Sequence, residues 1–188
     1  MANAKDVLDF WFDPANEPRW FARDDAFDDA IRSRFDVTFL VAARGELDAW
    51  AATPEGWLAL LIVLDQFSRN LFRNDPRAYE HDPKAQSLAL AGIARGDDQA
   101  LPAPWRAFAY LPLEHAEDRR LQAHCVALFG DLCQQAPGDA RFANYLDYAR
   151  RHHGVIERFG RFPHRNQVLG RATTADEAHY LAQPGAGF

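Results

Sequence analysis

Lysine is almost missing from this sequence. Lys5 and Lys84 are the only two, so nineteen of the 21 basic residues are arginines. Arginine never loses its charge and grips carboxylate or phosphate through a planar fork. Codon bias is the simplest account of that ratio, so only clustering of arginines argues for an anion site. Cysteine is equally scarce. Cys125 and Cys133 lie eight apart within one predicted helix. Their Cα atoms are then about 12 Å apart, beyond disulfide reach. Both are expected as thiols in a reducing compartment.

Long apolar runs are missing too. The longest, Trp57–Leu64, is far too short to span a bilayer. The opening MANAKDVLDFWF lacks the basic segment, apolar core and cleavage site of a signal peptide. A cytoplasmic protein without a membrane partner is expected. Val, Ile and Thr are sparse and no stretch alternates with period two, so strands are not expected. A net charge of −6 repels a phosphate backbone and disfavours nucleic acid as a partner. Neither Gly-x-Ser-x-Gly nor a Gly-rich phosphate loop occurs, which removes two familiar catalytic motifs.

What is present is helix. A chain of 188 residues, 48% hydrophobic and 26% charged, suits one soluble domain, 1–188. Pro, Gly and Asp turns separate helical patterns over Lys5–Phe12, Asp24–Arg44, Pro54–Arg73, His81–Gly96, Trp105–Tyr110, Arg119–Gln135, Asp139–Gly160 and Thr174–Leu181. Asp24, Asp25, Asp28 and Asp29 read as a solvated face complementing a helix dipole. Thr174 and Glu177 have the spacing of a capping box. The prediction is an all-α fold of antiparallel helical hairpins.

Three polar pieces stand out. The first closes the central helix, PEGWLALLIVLDQFSRNLFR, with Thr53 as N-cap and Pro54 in the first turn. At 100° per residue, Asp65, Gln66, Arg69, Asn70 and Arg73 share one arc of roughly 140°. That arc continues the apolar residues Leu58, Ala59 and Ile62. A helix that is apolar all round is buried, so the polar arc is expected to run into a cleft. Arg73 then needs a partner, either an acid elsewhere in the chain or an anionic ligand.

The second piece, Pro112–Asp118, is read as irregular and gathers Glu114, His115, Glu117 and Asp118 before a helix that Asp118 caps. Glu114, His115 and Asp118 have metal-competent chemistry, but their spacing is no metal signature, and no metal is assigned. Glu114 or Asp118 is expected to pair with an arginine of another piece. The third piece, His152–Asn166, interleaves Arg158, Arg161 and Arg165 with Ile156, Phe159 and Phe162. Gly160 permits a left-handed helix end, and Pro163 fixes the turn presenting His164, Arg165 and Asn166.

DQFSRNLFR (Asp65–Arg73), PLEHAED (Pro112–Asp118) and VIERFGRFPHRN (Val155–Asn166) together resemble the bacterial family of uncharacterised proteins called DUF924. DVLDFWF (Asp6–Phe12) with Trp20 and Phe21, and the closing LGR with Thr174, Tyr180 and Leu181, fit the same pattern. The resemblance covers essentially the whole chain. It implies a fold similar to tetratricopeptide-repeat domains and carries no activity with it.

Three functional readings follow. In the first, the three pieces form a cleft for a small phosphate or carboxylate ligand. Its ligand-binding residues are Asp65, Gln66, Arg69, Asn70, Arg73, Asp118, Arg158, Arg161, Arg165 and Asn166. His115 or His164 would transfer protons, with Glu114 or Asp65 orienting, in acid–base or hydrolytic chemistry. In the second, the helical array holds an acidic peptide or a carboxy terminus. In the third, the charged clusters are salt-bridge networks that tie helices together. No cofactor is legible.

Overall fold

A computed structural model describes residues 1–187. Among the described residues the chain is all-α: helices, short 3-10 and π turns, and no strands. None of these helices is long and apolar enough to cross a membrane. The chain divides into two compact units. The first comprises Met1–Arg73 and Arg77–Pro112; the second comprises Asn74–Pro76 and the chain from Leu113 onward.

The first unit is built on a buried spine. Helix α3 (Pro54–Leu61) starts as its sequence dictates, with the Thr53 hydroxyl accepting the Gly56 N–H and Pro54 in the first turn. Trp57, Leu58, Ala59, Leu60 and Leu61 are all fully buried. The spine is not one α-helix, however. A π turn over Ile62–Phe67 follows α3, and α4 (Ser68–Leu71) closes it. The wider turn breaks the 100° register assumed from the sequence. Asp65, Gln66 and Asn70 are buried beside Phe67 and Ser68.

Helices α1 (Ala4–Trp11), α2 (Asp25–Ala43) and α5 (Asp82–Arg95) pack around this spine. Helix α1 buries Val7, Leu8, Phe10 and Trp11, and Asn3 completes a capping box with Asp6. Helix α2 is capped by Asp24 and buries Phe27, Ile31, Phe35, Phe39 and Ala42. Helix α5 ends on Gly96 at φ +79°, as the glycine signals.

A close approach is made at Gly92 of α5. The fully buried Trp57 ring lies against it and donates its indole N–H to the Leu88 carbonyl at 2.8 Å. A Cβ at Gly92 would stand 2.1 Å from that ring. Gly92→Ala should therefore lower stability by about 1–3 kcal/mol through overpacking, despite alanine's better helix propensity. An unchanged urea midpoint would refute this.

Helix α6 (Ala103–Glu114) extends further than the sequence suggests, running through Pro112. Proline inside a helix costs about 3 kcal/mol. Continuing the helix buries Leu111 and Leu113, together about 3–6 kcal/mol, enough to override the break.

In the second unit α7 (Arg119–Gln135) and α8 (Ala140–Phe159) pack closely as a hairpin, joined by four residues. Asp118 and Asp139 cap them. Gly160 ends α8 at φ +70°. Helix α9 (Ala175–Leu181) begins on the expected Thr174–Glu177 capping box. Cys125 and Cys133 are free thiols. Burial, with the Glu114 charge nearby, pushes the Cys125 thiol well above its ordinary range.

Candidate functional site

In the first unit the polar side chains of the central spine meet acids from neighbouring helices. Arg69 donates from Nη1 to Asp82 Oδ1 at 2.6 Å and from Nη2 to Asp82 Oδ2 at 2.9 Å. It also donates to the Ala78 carbonyl at 2.7 Å and lies 3.5 Å from Asp65. Burial disfavours the charge on Arg69, and Asp65 and Asp82 more than restore it. Gln66 donates to Asp65 at 2.6 Å. Asn70 donates to Asp28 Oδ1 at 2.7 Å. Arg73 grips Asp28 with two donors, Nη2 at 2.8 Å and Nε.

The acid that the sequence demanded for Arg73 is thus Asp28. Reading Asp28 as part of a solvated face was wrong, since it is buried. A signal was available. Asp28 stands three and seven residues before Ile31 and Phe35, on the edge of the apolar stripe of α2. Asp82 carried no such signal, because a turn of the chain brings it to Arg69.

The second and third polar pieces belong to the second unit. Arg158 pairs with Asp176 at 2.6 Å. Arg161 pairs with both oxygens of Glu177, at 2.7 and 2.9 Å. The Arg161 hydrogen bond, opposed by burial and helped by the Thr174 N–H, holds the Glu177 carboxyl down to about 2. Glu177 also accepts from Asn166 Nδ2 at 3.2 Å and from the Thr174 N–H at 2.7 Å. Asn166 Oδ1 in turn accepts from Arg171 Nε at 3.0 Å.

Glu117, which the sequence did not single out, joins these pieces. It accepts from the Phe162 N–H at 2.7 Å and from Arg171 at 2.6 and 3.0 Å. Burial raises its carboxyl, and these bonds, with Arg165 nearby, more than reverse that and hold it below the usual range. Arg171, from the closing LGR, thus pairs with Glu117 of the second piece. Asp118 caps α7, as expected.

Behind Glu117 lies a group of histidines. His152 Nδ1 is 2.9 Å from the Tyr148 carbonyl and 3.4 Å from Glu114. Burial lowers the His152 pKa to about 3. The Tyr148 bond opposes this, and His115, Arg165 and His164 reinforce it. A neutral imidazole with Nδ1–H donated to Tyr148 keeps Nε2 as an acceptor. His115 stands 6.4 Å from His152, ring to ring. His164 is lowered to about 4 by burial and by Arg165, against the pull of Glu117. The buried Arg165 guanidinium lies 4.5 Å over the Phe162 ring. His152 was detectable in the sequence, because it shares the apolar face of α8 with Ala149, Val155 and Ile156. No three His, Cys, Asp or Glu side chains among the described residues are arranged to hold a metal ion.

An open groove of about 380 Å³ lies over the first turn of α7, lined by Glu117, Asp118, Arg119, Arg120, Ile156 and Gly160. Arg119 is engaged with the Glu157 carbonyl at 2.9 Å. Among the described residues the exposed Arg120 side chain makes no ion pair or hydrogen bond.

These features define an all-α protein with an internally paired first unit and a histidine- and arginine-rich second unit. The chain belongs to the family described as bacterial protein of unknown function (DUF924), whose sequence profile matches residues 7–185. It is similar to the solved structure of a protein of unknown function from Agrobacterium tumefaciens. The two share 44% identity over 95% of this chain and 96% of that chain, with a TM-score of 0.85. No curated protein matches the chain.

Proposed function

We propose that the second unit binds a small ligand carrying a phosphate or carboxylate group in the groove over the N-terminus of α7. One observation carries this reading. Arg120, whose exposed side chain has no partner among the described residues, lines a groove at the positive end of a helix, and the groove's wall, Glu117, is bonded to the segment bearing His164 and Arg165. Helix N-termini and arginine both favour anions. His164 or His115, with Glu114, is the proton-transfer group for acid–base or hydrolytic work on the ligand. His164, held neutral by burial, would serve as a general base rather than a general acid.

For Asp65, Gln66, Arg69, Asn70 and Arg73 we propose a structural role, tying α2 and α5 to the central spine. Each arginine there already has a carboxylate within hydrogen-bond reach.

Titration of the protein with inorganic phosphate and with citrate, followed by amide chemical shifts, tests the ligand reading. Shifts should gather at residues 117–121 and 160–165. Arg120→Ala should weaken binding about tenfold, the loss of one charge-assisted hydrogen bond. Binding of neither anion, or equal affinity in the variant, would overturn it.

A further inference from the structure

Beyond α9 the chain does not run straight out into solvent. The Gln183 N–H donates to the Tyr180 carbonyl at 3.0 Å and the Ala186 N–H to the Gln183 carbonyl at 3.2 Å, which curls the tail back. Two glycines make the contacts that follow, both with left-handed backbone: Gly185 at φ +77° and Gly187 at φ +83°. A Cβ at Gly185 would lie 3.6 Å from the Arg151 guanidinium. One at Gly187 would lie 3.3 Å from His164 Cβ. A side chain at Gly187 would therefore face both an unfavourable φ and a crowded neighbour.

We propose that the C-terminal tail, residues 183–187, is a strap closed over His164, and that it lifts before a ligand's phosphate or carboxylate reaches that imidazole. This inference rests on the reading of His164 as part of the ligand site. Residues 182–185 are exposed, and among the described residues two backbone hydrogen bonds shape the curl. Segments with few buried contacts open at low free-energy cost, and glycine gains more than any other residue from release. Burial contributes most to keeping His164 neutral, and the strap is part of the cover.

Two variants test it: a chain ended after Ala182, which keeps α9 whole, and Gly187→Val, which keeps the full length. The readout is the rate at which diethyl pyrocarbonate modifies His164, followed by peptide mass and referenced to His153 in the same sample. Both variants should raise the His164 rate at least fivefold while His153 stays constant. If truncation unfolds the second unit, His153 accelerates too, and Gly187→Val decides. A His164 rate within twofold of the parent in the folded variants overturns the strap. This readout needs no ligand. A failed phosphate and citrate titration with a strap that opens would sink the binding site alone.

Discussion

Arg69→Ala should lower stability by about 3–5 kcal/mol, the usual result of removing one partner of a buried ion pair. For a chain of this length that is a fall in Tm of roughly 10 °C. The size follows from what the variant leaves behind. Asp82 and Asp65 lose the guanidinium they face, and their side chains are only 8% and 2% exposed. The Ala78 carbonyl loses a donor as well. The pair itself is not expected to be worth that much. Replacing Arg69 and Asp82 together by Met and Leu should recover only part of the loss, because Asp82 is no longer left charged but the buried Asp65 still lacks its guanidinium. Arg73→Ala should cost less, about 1–3 kcal/mol, since its side chain is 31% exposed and water reaches it. Urea unfolding of the four proteins provides the check. Parent-like stability in Arg69→Ala and Arg73→Ala would end the structural account of the first polar piece.

Acid should destabilise the protein well before its carboxylates titrate. His152 and His164 are held to about 3 and about 4, against about 6.5 in an unfolded chain. Below pH 6.5 the unfolded state binds these two protons and the folded state does not, so stability falls as pH falls. The slope approaches 2.7 kcal/mol per pH unit, about 1.36 for each histidine. His164 stops contributing below about pH 4 and His152 below about pH 3. Between pH 7 and pH 5 the pair together costs at most about 4 kcal/mol. His164 is only partly buried, so its share is the smaller. Glu177 adds in the same direction at lower pH, as its carboxyl, at about 2, is protonated. The measurement is the urea midpoint at pH 7 and pH 5 for the parent, His152→Gln and His164→Gln. Each substitution should flatten the dependence, His152→Gln more. A parent midpoint that does not move between those pH values would show that neither imidazole is held neutral by the fold.

Several elements are legible without coordinates because their causes are local. Thr53 and Pro54, Asp118, Asp139, Thr174 with Glu177, Gly96 and Gly160 start or stop helices where the chain places them. Each acts on backbone groups within four residues. The apolar run Trp57–Leu64 also announces its burial. Pro112 shows where local rules lose: the burial of two leucines outweighs one missing hydrogen bond. The π turn over Ile62–Phe67 is a second case. No residue in IVLDQF demands it.

The polar pieces were legible as chemistry and not as geometry. Arg69, Arg73, Arg161 and Arg171 each require a carboxylate, and composition alone says that partners exist. Which ones they are depends on chain separations of 13, 45, 16 and 54 residues. No periodicity reaches that far.

What the amino-acid sequence determined by itself is the helical class, most helix ends, and the short list of charged residues that cannot be left alone. Tertiary packing alone decided that Asp28 turns inward, that Glu117 meets Arg171 of the closing motif, and that two imidazoles stay neutral. The physical reason is range. Capping and periodicity act within a turn or two of the backbone, whereas desolvation and ion pairing depend on what other segments bring alongside.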